Sequence, residues 1–383
     1  MKNILLVFGG KSYEHDISVV TAAQIYNKTR LDSDSLVPLY ISRDNKFYVY
    51  RPKKMDIKDF SRSSFNSKGK NFVEVEFVSG VKNTLFAKTM FGLKEFMTAD
   101  TAIIACHGGL GENGKLVAFL EMMGISSSSG SSTALGISMN KFLFKQVMKG
   151  LDIPTVRGIR VTKTDYEKRR EEIEFKLRFL KFPVVIKQNN GGSSIGLFVA
   201  ENIDEFHSKM QDAFEFDDEI LIERYIANTR EFNVALIGTS DDFIVSEIDE
   251  PLKQSEILSF ADKYLSGGGK GKKVNTGKNS MASQVRKLPA DISDELERKI
   301  KKFASKIFEN LGLTGVVRID FLYDEANNKL YVCEVNAVPG SLSYYFFKEN
   351  NIHMNNLVKR LDKIAEKNKE IFFNGDFCTK ILD

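Results

Sequence analysis

A chain of mixed α/β and α+β domains is predicted by three observations. The apolar run ILLVF at Ile4–Phe8 ends at Gly9-Gly10 and leads into a helical pattern, as a buried strand entering a turn would. Strand and helix patterns alternate through the N-terminal third, which favours a parallel α/β layer with loops gathered at the strand carboxyl ends. The last third carries two strand patterns, VVRIDFLYD and LYVCEVN, joined by the five-residue loop EANNK, which calls for an antiparallel hairpin.

The length of 383 residues leaves room for two or three domains with a substantial core. The 55 basic and 51 acidic side chains nearly cancel, and no basic run is interleaved with stacking aromatics, so nucleic acid is not an expected partner. No apolar stretch reaches the ~18 residues of a membrane span, and the first ten residues read as a strand rather than a signal peptide. Cys106, Cys333 and Cys378 are odd in number and far apart, forming neither a disulfide framework nor a zinc pattern. They read as packing residues of a reducing, cytoplasmic compartment.

In order, the patterns give a strand at NILLVF, a helix around Ser18–Lys28, a strand at Leu36–Ile41 and a strand at TAIIACHGG. Residues 43–100 read as an irregular insertion with strand-like pieces such as NFVEVEFV. GISSSSGSSTALGISMNK marks a boundary, after which Lys141 opens a helix that ends at Gly150, with Pro154 beyond it. A helix over Asp165–Leu180 follows, then strands at FPVVIKQ, IGLFVA and EILIERYI, with a Gly/Ser loop after the first and a helix before the last. The remainder holds strand REFNVALIG, a Gly/Lys-rich segment at 265–285, a helix over Ile292–Leu311, the hairpin, a helix over Met354–Lys367 and a polar tail. From composition alone the Gly/Lys-rich segment is equally a mobile lid or plain disorder.

The hairpin carries the strongest chemistry. Arg318 and Asp320 share one strand face, as do Glu334 and Asn336. Pairing Asp324 with Leu330 sets Asp320 opposite Glu334 and Arg318 opposite Asn336. Apolar neighbours on both faces imply burial, and two buried carboxylates at strand-pair distance repel unless a cation neutralises them. A hard divalent ion with oxygen ligands suits Asp, Glu and Asn together. The competing reading is a salt bridge from Arg318 to Asp320 or Glu334.

KQNNGGSSIG, from Lys187 to Gly196, fits either an anion-cradling loop or a simple Gly-Gly turn. It is no Walker A loop. Lys187 ends an apolar strand, and an inward-facing lysine there needs an anionic partner. Lys141, Lys187, the Gly/Ser loop and the acidic hairpin together suggest ATP with Mg²⁺.

With those residues assembled, the chain resembles the D-alanine–D-alanine ligase family of the ATP-grasp superfamily. GGKSYEHDIS, HGGLGENG, SMNKFLFK, KQNNGGSSIG, ILIERYI with REFNVA, DKY, and VRID with EVNAVPG occur in family order across nearly the whole length. The resemblance implies an ATP-grasp fold behind a Rossmann-like N-terminal domain. It divides the chain into a substrate-binding domain at 1–129, a central subdomain at 130–226 and a C-terminal subdomain at 227–383 with a lid loop at about 255–288. It implies that Lys141, Lys187 and Ser194 meet the ATP phosphates, Glu223 and the Ile226 backbone the adenine, and Glu231 the ribose. Asp320, Glu334 and Asn336 are the implied ligands of Mg²⁺ or Mn²⁺, with two ions. Glu14 is similar to the residue that receives the first ammonium, and His107 to one beside the first carboxylate. Ser193 and Tyr264 resemble the groups that orient the site with Glu14, Lys263 a lid lysine on the transferred phosphate, and Arg318 with the Gly340 N–H an oxyanion stabiliser.

The implied activity is ATP-dependent formation of D-alanyl-D-alanine through a D-alanyl phosphate, for peptidoglycan precursors, by a cytoplasmic homodimer. The family continues N-T-x-P-G with a serine that holds the acceptor carboxylate. Here the run is NAVPGSLSYYFF, so that position falls on Tyr345, with Ser341 and Ser343 nearby. A ligase with another amino- or hydroxy-acid acceptor, and a nucleotide-binding pseudoenzyme serving as a scaffold, are the alternatives.

Overall fold

The structure is a computed structural model that describes residues 2–31, 33–192, 195–252, 286–348 and 350–370. The N-terminal part runs β1 (Asn3–Gly9), α1 (His15–Lys28), β2 (Ser35–Ile41), β3 (Phe47–Tyr50), β4 (Phe72–Phe77), β5 (Thr84–Thr89), β6 (Gly92–Thr98), β7 (Thr101–Ile104), α2 (Lys115–Met122) and β8 (Ser126–Ser127). Its eight strands lie in the order β6-β5-β4-β3-β2-β1-β7-β8. The β1 strand is parallel to both β2 and β7, which places the loops after β1 and β7 side by side. Gly9 makes the exit from β1, since a Cβ there would meet the Ile41 carbonyl oxygen at 2.2 Å.

Residues 43–100 are not irregular. They contribute four antiparallel strands that widen the same sheet. Their pattern is obscured because aromatic side chains reach the core from strands and loop alike. Phe60, in the loop between β3 and β4, packs its ring edge on Tyr40 at 5.0 Å and on Phe72 at 5.5 Å.

The central part runs α3 (Ser132–Met139), α4 (Lys141–Gly150), β9 (Gly158–Thr162), α5 (Lys163–Lys168), α6 (Arg170–Leu180), β10 (Val184–Gln188), β11 (Phe198–Ala200), α7 (Ile203–Ala213) and β12 (Glu219–Arg224). Its four strands form an antiparallel sheet, β11-β10-β12-β9. The helix expected over 165–180 is two helices, broken at Arg169 with φ −134° and ψ 38°. The break lets Tyr166 and the stripe Ile173, Leu177 and Leu180 reach one core.

The C-terminal part holds β13 (Thr229–Thr239), β14 (Asp242–Pro251), β15 (Arg286–Lys287), α8 (Asp294–Asn310), β16 (Gly315–Asp324), β17 (Lys329–Asn336) and α9 (Met354–Glu370). The strands form the antiparallel sheet β15-β14-β13-β16-β17, and α8 covers it with Leu296, Ile300, Ala304, Ile307 and Phe308. The last helix returns to the first sheet. Asp362 on α9 takes hydrogen bonds from Lys2 at 2.7 Å and Thr101 at 2.5 Å, and the buried apolar residues of α9 share the core of β1 and β7. Among the described residues no helix is long and apolar enough to cross a membrane.

Candidate active site

The β16–β17 hairpin sets the site. Asp320 pairs with Glu334 and Arg318 with Asn336, as expected. The turn differs: Asp324 pairs with Lys329 rather than Leu330, and a bulge between Asp320 and Phe321 takes up the extra residue. One strand therefore keeps the expected register at the carboxylates while Cys333 is left over in the ladder. Both Asp320 oxygens accept from Arg318, at 2.7 Å each, and Asp320 Oδ2 also accepts from Asn336 at 3.0 Å. The salt bridge weighed against the metal set is thus present within it. Among the described residues no three His, Cys, Asp or Glu side chains gather to hold a metal unaided. Two carboxylates and an amide form the kind of partial oxygen shell that a magnesium ion completes with phosphate oxygens and water.

A cleft of about 410 Å³ opens between the central and C-terminal sheets. It brings together Lys141, Lys187, Glu223, Ile226, Glu231, Asp320 and Glu334, which come from six separate segments of the chain. Val156, Val185, Leu197 and Leu322 give it apolar walls. Lys141 leaves the first turn of α4, where the Asn140 side chain caps the helix by accepting from the Leu143 N–H. Its ammonium donates to the Gly191 carbonyl and stands 3.6 Å from Glu334. Burial pulls the Lys141 pKa down, and Lys187 adds to that, while Glu334 and Glu223 oppose it.

Lys187 has the anionic partner its strand position requires: Glu223, on the neighbouring β12, at 2.5 Å. The other Glu223 oxygen pairs with Lys145. Burial alone would raise the Glu223 pKa, but the two lysines outweigh it and hold the carboxyl at about 2. Lys145 was not anticipated from sequence, although its i+4 spacing from Lys141, beside buried Phe144 and Met148, is a readable signal. Gly191 and Gly192 of the Gly/Ser loop line the cleft; Ser193 and Ser194 lie outside the described residues, as do Lys263 and Tyr264.

Glu14 caps the start of α1 and is buried. A Cβ at Gly108 would fall 2.7 Å from its Oε2, and one at Gly192 would fall 3.4 Å away, so the carboxylate stands where the β7 loop meets the Gly/Ser loop. His107 is buried at the same junction. Its Nδ1 lies 2.7 Å from the Val338 carbonyl, which only accepts, so that nitrogen carries the proton. Its Nε2 then accepts from the Thr21 hydroxyl at 2.8 Å, and Thr21 Oγ1 accepts from the Ser341 N–H at 3.1 Å. Burial lowers the His107 pKa, which keeps the ring neutral. His107 therefore spends both ring nitrogens tying the first domain to the loop after β17. Glu112 is a second residue that sequence reasoning passed over. Burial, together with the nearby charges of Glu14 and Glu334, pushes its carboxyl up to about 8.

Gly340 opens a 3₁₀ turn to Phe347, and Ser341, Leu342 and Ser343 within it all have positive φ, between 47° and 54°. Ser341 Oγ donates to Gln24 at 2.7 Å. Ser343 Oγ is fully buried and has no hydrogen-bond partner among the described residues. Tyr345 is buried, with the Arg286 guanidinium 4.5 Å from its ring centre, and Arg286 pairs with Asp249 at 2.9 Å. None of Gly340, Ser341, Ser343 and Tyr345 lines the 410 Å³ cleft; the turn that carries them packs on α1 and on β14 and β16.

Two antiparallel sheets closing on buried lysines and an acidic hairpin, behind a mixed N-terminal sheet with a parallel centre, define an ATP-grasp ligase. Family models described as "D-ala D-ala ligase N-terminus" and "D-ala D-ala ligase C-terminus" match residues 3–129 and 147–362. A D-alanine–D-alanine ligase from a Sulfurovum species is 33% identical over 380 residues, 99% of this chain and 98% of the relative. One from Thermosipho melanesiensis is 31% identical, covering 94% of this chain and 92% of that protein. Among solved structures, the D-alanine–D-alanine ligase of Helicobacter pylori superposes with a TM-score of 0.70 at 26% identity, over 96% of this chain and 98% of its own. The VanG D-Ala:D-Ser ligase of Enterococcus faecalis has the same fold, with a TM-score of 0.75 at 23% identity over 95% and 99% of the two chains. The chain belongs to the D-alanine–D-alanine ligase family, whose members are ATP-dependent ligases.

Proposed function

We propose that this enzyme joins two D-alanine molecules, with ATP as the driving nucleotide, to supply D-alanyl-D-alanine for peptidoglycan. The observation that carries this reading is the cleft, where Lys141 and Lys187 converge with the Asp320–Glu334 pair. In the proposed reaction a carboxylate oxygen of the first D-alanine attacks the γ-phosphorus and ADP leaves. The amine of the second, having lost its proton, attacks the acyl carbon of the resulting D-alanyl phosphate, and inorganic phosphate leaves. Lys141, Lys187 and the Gly/Ser loop hold the phosphates, Glu223 and the Ile226 backbone hold adenine, and Glu231 holds ribose. Glu14 receives the first ammonium, His107 fixes the loop that carries Gly340 and Ser341, and Arg318 faces the developing oxyanion. Asp320, Glu334 and Asn336 would hold one or two Mg²⁺ ions, which neutralise charge on the transferring phosphoryl group.

The proposed working form is a cytoplasmic homodimer, with units at 1–129, 130–226 and 227–383. A second acceptor reading rests on Tyr345, which occupies the place of the family's acceptor serine and is packed under Arg286. Phosphate release from ATP, measured with a panel of D-amino acids and D-hydroxy acids, tests both. Strong stimulation by D-alanine alone supports the first reading. Stimulation only when a different acceptor is added selects the second, and no stimulation by D-alanine under any condition sinks the first.

A further inference from the structure

We infer that Lys145 is the positioning residue that keeps Glu223 seated as the adenine acceptor, and that it thereby sets the preference for adenine over guanine. This deepens the nucleotide role proposed for the cleft and rests on it. Lys145 follows Lys141 by one turn of α4, so the two side chains leave the same helix face. They then diverge. Lys141 reaches the Gly191 carbonyl at the phosphate end. Lys145 passes behind the cleft wall, donates to the Val156 carbonyl at 2.7 Å and pairs with Glu223. The Lys145 and Glu223 side chains are only 7% and 8% exposed, and a carboxylate so buried requires a cation beside it.

Glu223 has two such cations, but they are not equivalent. Lys187 lines the cleft beside Lys141, so phosphate oxygens entering there offer its ammonium a second anion. Lys145 does not line the cleft, and its other donor is committed to Val156, which does. When Lys187 turns to the nucleotide, Lys145 remains as the standing counter-ion of Glu223. The ionised carboxylate only accepts hydrogen bonds. It accepts from the 6-amino group of adenine and opposes the 6-oxo group of guanine. A Glu223 without Lys145 is an uncompensated buried charge, which moves or takes up a proton and loses that distinction.

The test compares full-length wild type with Lys145→Met and with the double variant Lys145→Met/Glu223→Gln. ADP binding is measured by calorimetry, and ATP- and GTP-driven phosphate release with D-alanine. Lys145→Met is expected to weaken ADP binding at least about tenfold. It should raise the KM for ATP more than it lowers kcat, and narrow the ATP-to-GTP ratio of kcat/KM. A neutral amide in place of the Glu223 carboxylate needs no counter-ion, so the double variant should recover most of the lost ADP affinity. Should Lys145→Met fail to fold, a folded, ADP-binding double variant carries the same conclusion. Wild-type ADP affinity and nucleotide ratio in Lys145→Met, losses that simply add in the double variant, or two variants that both fail to fold would each overturn the inference. A wild-type protein that binds no ADP removes the nucleotide reading itself, a different failure.

Discussion

The proposed nucleotide half and the proposed acceptor half of this site are built on opposite terms. In the first, buried and half-buried charges find opposite charges within the protein: Lys141 faces Glu334, Lys145 and Lys187 enclose Glu223, and Arg318 grips Asp320. Strands and a capped helix hold these groups in place. In the second, three successive non-glycine residues adopt left-handed backbone, a conformation that costs each of them ~1 kcal/mol, and they carry the Ser343 hydroxyl, buried and without a hydrogen-bond partner among the described residues. Charge neutralisation organises one half. The other is held under strain by its packing and keeps a polar group in reserve.

The largest expected effect breaks the first half. Asp320→Asn removes the carboxylate shared by Arg318, Asn336 and the proposed metal shell, and kcat for phosphate release should fall ~10³-fold. ADP affinity should change far less, because Lys141 and Lys187 remain. A kcat within tenfold of wild type, in protein shown to be folded by its melting curve, would remove the acidic set from phosphoryl transfer.

That half was also the legible one. Carboxylates on an apolar hairpin and a lysine ending an apolar strand announce that they need partners, and the assumed Asp324–Leu330 pairing put Asp320 opposite Glu334 only because the bulge offset the error in the turn. The bulge at Cys333 was hidden, since a ladder defect compensated by a shorter turn leaves the pattern at the carboxylates unchanged. Lys145 was hidden because a lysine inside an amphipathic helix ordinarily snorkels to solvent. Of the four strands within 43–100, β4 was visible in NFVEVEFV, and the others were obscured where loop aromatics blurred their alternation. In the acceptor half nothing in NAVPGSLSYYFF signals left-handed backbone, because Ser and Leu rarely adopt it. The meeting of Arg286 with Tyr345 joins residues far apart in the chain, with no periodic signal linking them.

Ser343→Ala sharpens the comparison through effects of opposite sign. A buried hydroxyl without a partner carries a desolvation cost, so its removal should leave stability unchanged or raise it by ~1 kcal/mol. If that hydroxyl is reserved for the acceptor carboxylate, the same change should raise the acceptor KM ~10-fold while the KM for ATP holds. Unchanged acceptor KM alongside raised stability would make Ser343 a plain packing residue and leave acceptor choice to Tyr345 and Arg286.

The smallest effect concerns the seam between the halves, where His107 links Thr21 and Ser341 on one side to Val338 on the other. Burial lowers the pKa of His107, and that of His15 as well, so each binds fewer protons folded than unfolded. Their contribution is whole above the unfolded value of about 6.5 and is lost as pH falls through the lower folded values. Glu223, held near 2, titrates below this window. Glu112, pushed up to about 8, acts the other way, since the burial penalty on its ionised form is relieved as pH drops from 8 toward 4.5. The wild-type melting temperature therefore mixes two slopes, and the informative quantity is its difference from His107→Asn. Asparagine keeps a donor for the Val338 carbonyl but does not titrate. The stability advantage of wild type over His107→Asn should shrink by a few degrees between pH 7.5 and 5. An advantage that grows over that range would mean that His107 holds the seam in its charged form, and one that stays constant that the seam does not depend on a neutral ring; either outcome overturns the neutral relay through Thr21.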